Sequence, residues 1–102
     1  MNTNTTDYIK IEEQYTAHIY EPLDVVIARG SGVWVEDVEG RRYLDCLAAY
    51  SAVNQGHCHP RLVKVMVEQA AKLALTSRAF RNPQLPLLAK ELCELLGYDM
   101  ML

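Results

Sequence analysis

The densest group of reactive side chains in the sequence is the run Gly56-His57-Cys58-His59-Pro60, in which two imidazoles flank a thiol. Imidazoles and thiolates are ligands for zinc, but a zinc site needs three or four ligands that converge on one ion. In an extended backbone His57 and His59 lie on one side and Cys58 on the other, and no second Cys or His pair follows to complete the set. The spacing therefore argues against a metal site.

A thiol nucleophile at Cys58, with a neighbouring histidine as its general base, is the second chemistry that this group suggests. Side chains adjacent in sequence rarely meet in the geometry that a nucleophile and its base require. Neither Ser51 nor Ser77 lies in the Gly-x-Ser-x-Gly turn of a serine nucleophile. We therefore predict no catalytic residue in this chain. For the histidines we favour a glycine turn before a helix N-terminus, where a histidine side chain caps free N–H groups.

Two of the six tyrosines lie outside any hydrophobic stripe. Tyr20 comes just before a Glu-Pro pair and Tyr50 lies among small residues, so a repeating core pattern explains neither of them. A phenol in such a place can face a pocket, where its ring forms a wall and its hydroxyl bonds a carboxylate or an amine. The alternative is that each ring covers the edge of a core. Tyr20 and Tyr50 are therefore our candidate binding residues.

Hydrophobic spacing predicts the elements that would position these side chains. The apolar residues Tyr8, Ile11 and Tyr15 recur at intervals of three and four, which predicts an amphipathic helix over residues 7–15. Residues 1–6 are polar and offer nothing to bury, so we expect them to form a disordered tail.

A small antiparallel hairpin is predicted in the middle of the chain. In residues 33–36 two valines alternate with other side chains, residues 37–40 supply a turn with Asp and Gly, and residues 41–46 return as the partner strand. The β-branched residues 25–27 begin an earlier strand. Residues 47–55 are rich in small side chains without a period, which predicts an irregular loop.

Two further helices are predicted towards the C-terminus, and the fold class is therefore α+β. Pro60 suits the first turn of a helix, and an apolar stripe follows it at Leu62, Met66, Ala70 and Leu73. A second helix is predicted over residues 84–96, with Gly97 as its stop. Large apolar residues follow this stop closely, as they do in a strand that is cut short. We therefore expect residues 7–102 to be a partial domain.

Length and composition limit the classes of protein to which the sequence belongs. Its 102 residues, 50% hydrophobic and 23% charged, are typical of at most one globular domain. A formal net charge of -3 argues against the basic surface that binds nucleic acid or an anionic membrane. No stretch approaches the roughly 20 apolar residues of a membrane span. An odd number of cysteines and no signal-peptide pattern predict a cytoplasmic protein without a disulfide framework.

Several runs of the sequence resemble a known family. Residues 50–60 (YSAVNQGHCHP) and residues 75–80 (LTSRAF) strongly resemble the N-terminal part of the ornithine aminotransferases, which are class III members of the fold type I aminotransferases. Residues 32–45 (GVWVEDVEGRRYLD) are similar to the hairpin shared by the whole class. Residues 17–23 (AHIYEPL) look like a segment of the ornithine branch. The resemblance covers nearly the whole chain, and it implies an N-terminal fragment of such an enzyme.

The resemblance implies a function for the intact enzyme and roles for the two tyrosines. Members of the family are homodimers that use pyridoxal 5'-phosphate to move the δ-amino group of ornithine to a 2-oxo acid. By this resemblance, Tyr20 meets the end of ornithine that carries the carboxylate. Tyr50 helps to select ornithine over related ω-amino substrates.

The sequence departs from the family in what transamination requires. The reaction needs a lysine that forms a Schiff base with the cofactor, an acidic residue at the pyridine nitrogen and a backbone cradle for the phosphate. We find none of these three features. No lysine suits a Schiff base, because all the lysines lie on polar faces of predicted helices: Lys10, Lys64, Lys72 and Lys90. We therefore expect the chain alone to bind no pyridoxal 5'-phosphate and to be inactive. Two alternatives stay open: another class III aminotransferase, acting on acetylornithine or 4-aminobutyrate, and a non-catalytic truncated paralogue that acts as an interaction module.

Overall fold

A computed structural model describes residues 3–102, and its elements confirm the predicted α+β class. In chain order they are α1 (Thr5–Tyr15), β1 (Ile27–Ser31), β2 (Trp34–Asp37), β3 (Arg42–Leu44), α2 (Ala48–Ser51), α3 (Pro60–Lys72) and α4 (Gln84–Leu96). The chain divides into two compact units, of which the first ends at Val65 and the second runs over Met66–Leu102. Both candidate tyrosines lie in the first unit.

Helix α1 begins two residues before the predicted start, because Asn4 caps it. The Oδ1 atom of Asn4 accepts the backbone N–H of Asp7 at 3.0 Å, and the carboxylate of Asp7 accepts the backbone N–H of Asn4 at 3.5 Å. This reciprocal pair is a capping box, which satisfies two of the backbone donors that a helix start leaves free. The predicted tail over residues 1–6 is therefore wrong for residues 4–6, while Met1 and Asn2 lie outside the described residues.

The three strands form one antiparallel sheet in the order β1-β2-β3, which confirms the predicted hairpin. In the pairing of β1 with β2, Gly30 faces Val35 and Ser31 faces Trp34. Strand β1 therefore extends beyond the β-branched residues that predicted it. On the other side of β2, Val35 faces Tyr43. Within residues 3–102 Val35 is the only hydrophobic side chain that is buried, at 8% exposure. The sheet is therefore held largely by its polar bonds.

The structure confirms the predicted start of the first C-terminal helix at its proline and the predicted end of the second before its glycine. Helix α3 starts at Pro60, and α4 ends before Gly97, whose φ of 72° allows its N–H to bond the Cys93 carbonyl at 2.9 Å. Neither helix has a buried residue, so their apolar stripes are exposed in this chain. None of the helices within residues 3–102 has both the length and the hydrophobicity that a bilayer crossing requires.

Candidate functional site

The carboxylate of Asp37 organises the turn of the hairpin and is almost fully buried, at 2% exposure. Its Oδ1 atom accepts the backbone N–H groups of Glu39 and Arg41, both at 2.9 Å. Its Oδ2 atom accepts Arg41 Nε at 2.7 Å and the Tyr43 hydroxyl at 2.8 Å. Four donors in a space of seven residues thus fix the turn that joins β2 to β3.

These bonds decide the charge state of Asp37. Burial alone raises the pKa of this carboxyl, but the bonds from Arg41, Tyr43 and Glu39 outweigh burial and lower the pKa from 3.8 to about 2. The same contact raises the pKa of Arg41 and of Tyr43, because each donates a hydrogen bond to the Asp37 carboxylate. All three side chains therefore serve the turn, and none of them offers a titratable group for chemistry on a substrate.

A second carboxylate, that of Asp45, joins the two ends of the loop that carries Tyr50. Its Oδ1 atom accepts the backbone N–H groups of Leu47 and Ala48, both at 2.9 Å. Its Oδ2 atom lies 2.7 Å from Nε2 of His57, twelve residues further along the chain. The Ala48 N–H and the His57 ring hold the pKa of Asp45 below its usual value, so the carboxylate is charged at neutral pH.

His57 is attached to the hairpin through its backbone as well. Its N–H donates to the Gly32 carbonyl at 2.8 Å, and its carbonyl accepts the Gly32 N–H at 3.0 Å. The loop lies so close to β1 that a Cβ at Gly30 would meet the Cβ and Cγ atoms of His57 at 2.8 Å. A Cβ at Gly56 would lie 3.0 Å from the Cα atom of Gly32. Glycine is therefore required where the two backbones approach.

Replacing Gly56 by alanine should weaken the bridge between Gly32 and His57. The new Cβ crowds Gly32, and the φ of +88° at Gly56 strains any residue that has a side chain. Gly40→Ala is the matched control, since Gly40 has a φ of +84° and no atom within 4 Å of an added Cβ. We expect amide hydrogen exchange at Gly32 and His57 to quicken about tenfold more in Gly56→Ala than in Gly40→Ala. Equal exchange in the two variants would contradict a role for the close approach.

Tyr50 lies on a turn with an unusual backbone. The sequence predicts an irregular loop here, and the structure has one turn, α2, with φ of 48° at Ala48 and Ala49, 54° at Tyr50 and 70° at Ser51. A left-handed conformation costs about 1–2 kcal/mol for each residue that is not glycine. Strain of this kind persists only where the surroundings enforce it, and it is concentrated at functional sites.

The turn presents the Tyr50 side chain to solvent at 95% exposure, and Tyr20 is exposed at 84%. Tyr20 lies in the coil between α1 and β1. Within residues 3–102 neither phenol makes a hydrogen bond, and none joins the two residues. Both hydroxyls are thus available for a ligand, and their binding roles stay predictions.

The histidine-rich run holds neither a helix-capping side chain nor a metal site among the described residues. The His59 carbonyl accepts the Val63 N–H at 3.0 Å, but the Nδ1 atom of His59 is buried without a partner among residues 3–102. The predicted side-chain cap is therefore wrong, because His57 bonds Asp45 and His59 contributes only its backbone. In this part of the chain no three His, Cys, Asp or Glu side chains lie close enough to hold a metal ion.

The described residues do not fit pyridoxal 5'-phosphate. A lysine that forms a Schiff base with it needs a site that keeps the amine neutral and the cofactor in place. Every lysine of the chain is exposed on a helix: Lys10 on α1, Lys64 and Lys72 on α3, and Lys90 on α4. The ammonium of Lys90 lies 3.8 Å from the carboxylate of Glu94, as in a solvated ion pair. These residues supply no anchor for the cofactor.

The sequence of this chain is similar to those of ornithine aminotransferases. It is 66% identical to the ornithine aminotransferase of Bordetella pertussis over 88 residues, which are 86% of this chain and 21% of that protein. It is 51% identical to the mitochondrial ornithine aminotransferase of Arabidopsis thaliana over 94 residues, which are 92% of this chain and 20% of that protein. The chain thus spans about a fifth of the length of these two relatives.

Solved structures of aminotransferases have the same fold over this segment. The acetylornithine aminotransferase of Elizabethkingia anophelis matches with a TM-score of 0.92 and 56% identity, over 95% of this chain and 25% of that one. The ornithine δ-aminotransferase of Plasmodium falciparum matches with a TM-score of 0.91 and 50% identity, over 94% and 25% of the two chains. The family model for class III aminotransferases matches residues 15–102. By sequence and by fold, this chain belongs to the class III aminotransferase family.

Proposed function

We propose that this chain is the N-terminal part of an ornithine–2-oxo-acid aminotransferase. In the intact enzyme, the δ-amino group of ornithine passes to a 2-oxo acid such as 2-oxoglutarate, which gives glutamate 5-semialdehyde and glutamate. The observation that carries the proposal is the 66% identity to the ornithine aminotransferase of Bordetella pertussis over 86% of this chain. Pyridoxal 5'-phosphate supplies the electron sink for this reaction, and its Schiff-base lysine belongs to the part of the enzyme outside this segment.

In this proposal the chain contributes walls of the substrate pocket, with a separate role for each tyrosine. The hydroxyl of Tyr20 donates a hydrogen bond to the carboxylate of ornithine, and the phenol of Tyr50 selects ornithine among ω-amino substrates. A phenol suits both roles because it donates a hydrogen bond without adding a charge that must lose its water. The exposure of both side chains supports the proposal, since no contact among residues 3–102 engages either hydroxyl.

The chain would also contribute contacts between the two subunits of a homodimer and with the remainder of its own subunit. The absence of any buried residue in α3 or α4 supports this, because the apolar stripe of each helix needs a partner. Among their exposed large hydrophobic residues are Val65, Met66, Val67, Leu87, Leu95 and Leu96. The alternative of an interaction module predicts association with an intact subunit through the same surfaces. Co-purification of this chain with such a subunit, without any effect of the chain on activity, would favour the module.

A second candidate function is acetylornithine transamination. The observation in its favour is the match to the acetylornithine aminotransferase of Elizabethkingia anophelis, at 56% identity and a TM-score of 0.92. The substrates of the two candidate functions differ at the amine that is not transferred. Ornithine has a free α-amino group there, whereas acetylornithine has an uncharged amide.

A chimaera tests the two candidates. In this protein, called the chimaera below, the present chain replaces the matching segment of the Bordetella pertussis ornithine aminotransferase. We expect its kcat/KM for ornithine to exceed the values for N-acetylornithine and 4-aminobutyrate by at least about tenfold, which corresponds to about 1.4 kcal/mol. The parent enzyme is the control for the effect of the junction. A preference for N-acetylornithine in the chimaera alone would overturn the proposal in favour of the second candidate.

The isolated chain should bind no pyridoxal 5'-phosphate specifically. Its four lysines are exposed on helices, where nothing shields a Schiff base from hydrolysis. After incubation with the cofactor and dialysis, we expect no absorption band of an internal Schiff base and no transamination of ornithine. A band that survives dialysis, and that disappears when one of the four lysines is replaced by alanine, would contradict this expectation.

A further inference from the structure

We infer that Asp45 and His57 act as a positioning pair for Tyr50, holding the left-handed turn that sets the direction of its phenol. This inference rests on the proposed function, because it makes the pair a determinant of substrate selectivity. Neither side chain needs to touch the substrate. Both act through the backbone of α2, the element that carries Tyr50.

The two oxygens of the Asp45 carboxylate have different partners. One oxygen accepts the N–H groups of Leu47 and Ala48, the residues at which α2 begins, and the other oxygen meets the imidazole of His57. The backbone N–H of Asp45 donates to the Val33 carbonyl at 2.9 Å, which attaches this end of the loop to the hairpin. A single carboxylate thus links the start of the strained turn to the far end of the same loop.

His57 is itself fixed. Two backbone bonds to Gly32 hold it against the hairpin, and the absence of a side chain at Gly30 leaves room for its ring. The imidazole to which Asp45 bonds is therefore held in place when the rest of the loop moves. Each end of the loop is attached to the same rigid sheet, and the Asp45 carboxylate closes the loop between them.

Within the described residues, α2 has few other contacts that keep its backbone left-handed. Its other backbone bonds within the described residues are internal: the Ala52 N–H donates to the Ala48 carbonyl and, at 3.2 Å, to the Ala49 carbonyl, and the Val53 N–H donates to the Ala48 carbonyl at 3.1 Å. These bonds move with the turn and do not fix it to the sheet. Tyr50 makes no side-chain hydrogen bond within residues 3–102, so among these residues it is the backbone of α2 that sets the direction of its Cα–Cβ bond. Loss of the Asp45 bonds would let the turn relax towards right-handed geometry and redirect the phenol.

The test uses selectivity in the chimaera, defined as kcat/KM for ornithine divided by kcat/KM for 4-aminobutyrate. Asp45→Ala should lower selectivity about tenfold, whereas Asp45→Asn keeps an oxygen for the Leu47 and Ala48 N–H groups and should retain selectivity within about threefold. His57→Ala removes the second contact only and should give an intermediate loss. Glu91→Gln, a carboxylate-to-amide change on exposed α4, is the matched control. Cofactor occupancy in each variant verifies that the enzyme has folded, and His57→Ala serves if Asp45→Ala does not fold.

A double-mutant cycle separates positioning from general stability. If Asp45 acts through Tyr50, Asp45→Ala should lower selectivity when Tyr50 is present and have no further effect on selectivity when Tyr50 is replaced by isoleucine. An equal loss of kcat/KM for both donors, with selectivity unchanged, would overturn the inference and leave the pair a structural role. So would a loss of selectivity of the same size in both backgrounds.

A second measurement remains informative if the proposed function itself fails. Failure of that kind would appear as unchanged selectivity when Tyr50 alone is replaced by isoleucine. The 19F spectrum of 3-fluorotyrosine placed at position 50 reports the surroundings of the ring without any reference to substrate. Asp45→Ala should shift and broaden this signal, while Asp45→Asn and Glu91→Gln should leave it in place. An unchanged signal in Asp45→Ala would overturn the positioning pair whatever the substrate.

Discussion

In the chimaera, Tyr50→Ile should lower the selectivity for ornithine over 4-aminobutyrate by about ten- to a hundredfold. The reason is that an aliphatic side chain fills part of the same space but loses the hydroxyl, so a polar group of bound ornithine loses its hydrogen bond. Unpaired polar groups in a closed site are penalised heavily in the transition state. Tyr50 is 95% exposed in this chain, so the substitution disturbs no core. Steady-state kinetics with each amino donor measure the effect.

Two variants define which part of Tyr50 matters. Tyr50→Phe keeps the ring and removes the hydroxyl alone, so a loss close to that of Tyr50→Ile assigns selectivity to the hydrogen bond. Tyr15→Ile makes the same change at an exposed tyrosine on α1 and should leave selectivity unaltered. Selectivity that stays within about twofold of the parent in Tyr50→Ile would contradict the proposed role of Tyr50, and with it the preference for ornithine over the other class III substrates.

Asp37→Ala should unfold the hairpin turn locally. The substitution removes the acceptor of four hydrogen bonds, and it leaves the N–H groups of Glu39 and Arg41 without the partner that organises them. We expect amide hydrogen exchange at Glu39 and Arg41 to quicken by about a hundredfold. Glu39→Ala is the control, since it removes a neighbouring carboxylate whose ion pair with Arg41 is at the surface. Similar exchange in the two variants would show that the buried carboxylate is not what holds the turn.

The pH dependence of this turn follows from the lowered pKa of Asp37. A carboxyl with a pKa of about 2 in the folded chain and 3.8 otherwise stabilises the turn above about pH 3.8. That contribution declines as the pH falls below 3.8 and is lost as it passes through 2. A carbon-13 NMR titration of the Asp37 carboxyl should therefore have a midpoint near 2. Tyr43→Phe removes one donor and should raise this midpoint, whereas a midpoint near 3.8 in the unaltered chain would contradict the network.

Much of the fold is encoded in local sequence signals. Pro60 and Gly97 mark a helix start and a helix end because one lacks an N–H and the other tolerates a positive φ. The turn between β2 and β3 is predictable for a similar reason, since Asp37 and Gly40 are the residue types that such a turn requires. Tyr20 and Tyr50 can be singled out as the tyrosines that fit no hydrophobic stripe, although the pattern alone assigns them no ligand.

Other features depend on interactions that no local pattern reveals. Asp45 and His57 are twelve residues apart, and the bonds of His57 to Gly32 and of Asp45 to Val33 bring their side chains together. Alanine has a strong preference for right-handed helices, so the left-handed backbone at Ala48 and Ala49 contradicts local propensity and is imposed by the loop around it. The start of α1, in contrast, can be predicted from a local pattern, because Asn4 and Asp7 have the spacing of a capping box.

The nearly complete absence of a hydrophobic interior in residues 3–102, where Val35 alone is buried, has a calorimetric consequence. The heat capacity of a protein rises on unfolding mainly because apolar surface becomes hydrated. Melting of this sheet and its turn exposes little new apolar surface, so the heat-capacity increment should be small for a segment of this length. The stability curve of the segment should then be shallow, with neither a pronounced maximum near room temperature nor a loss of structure on cooling.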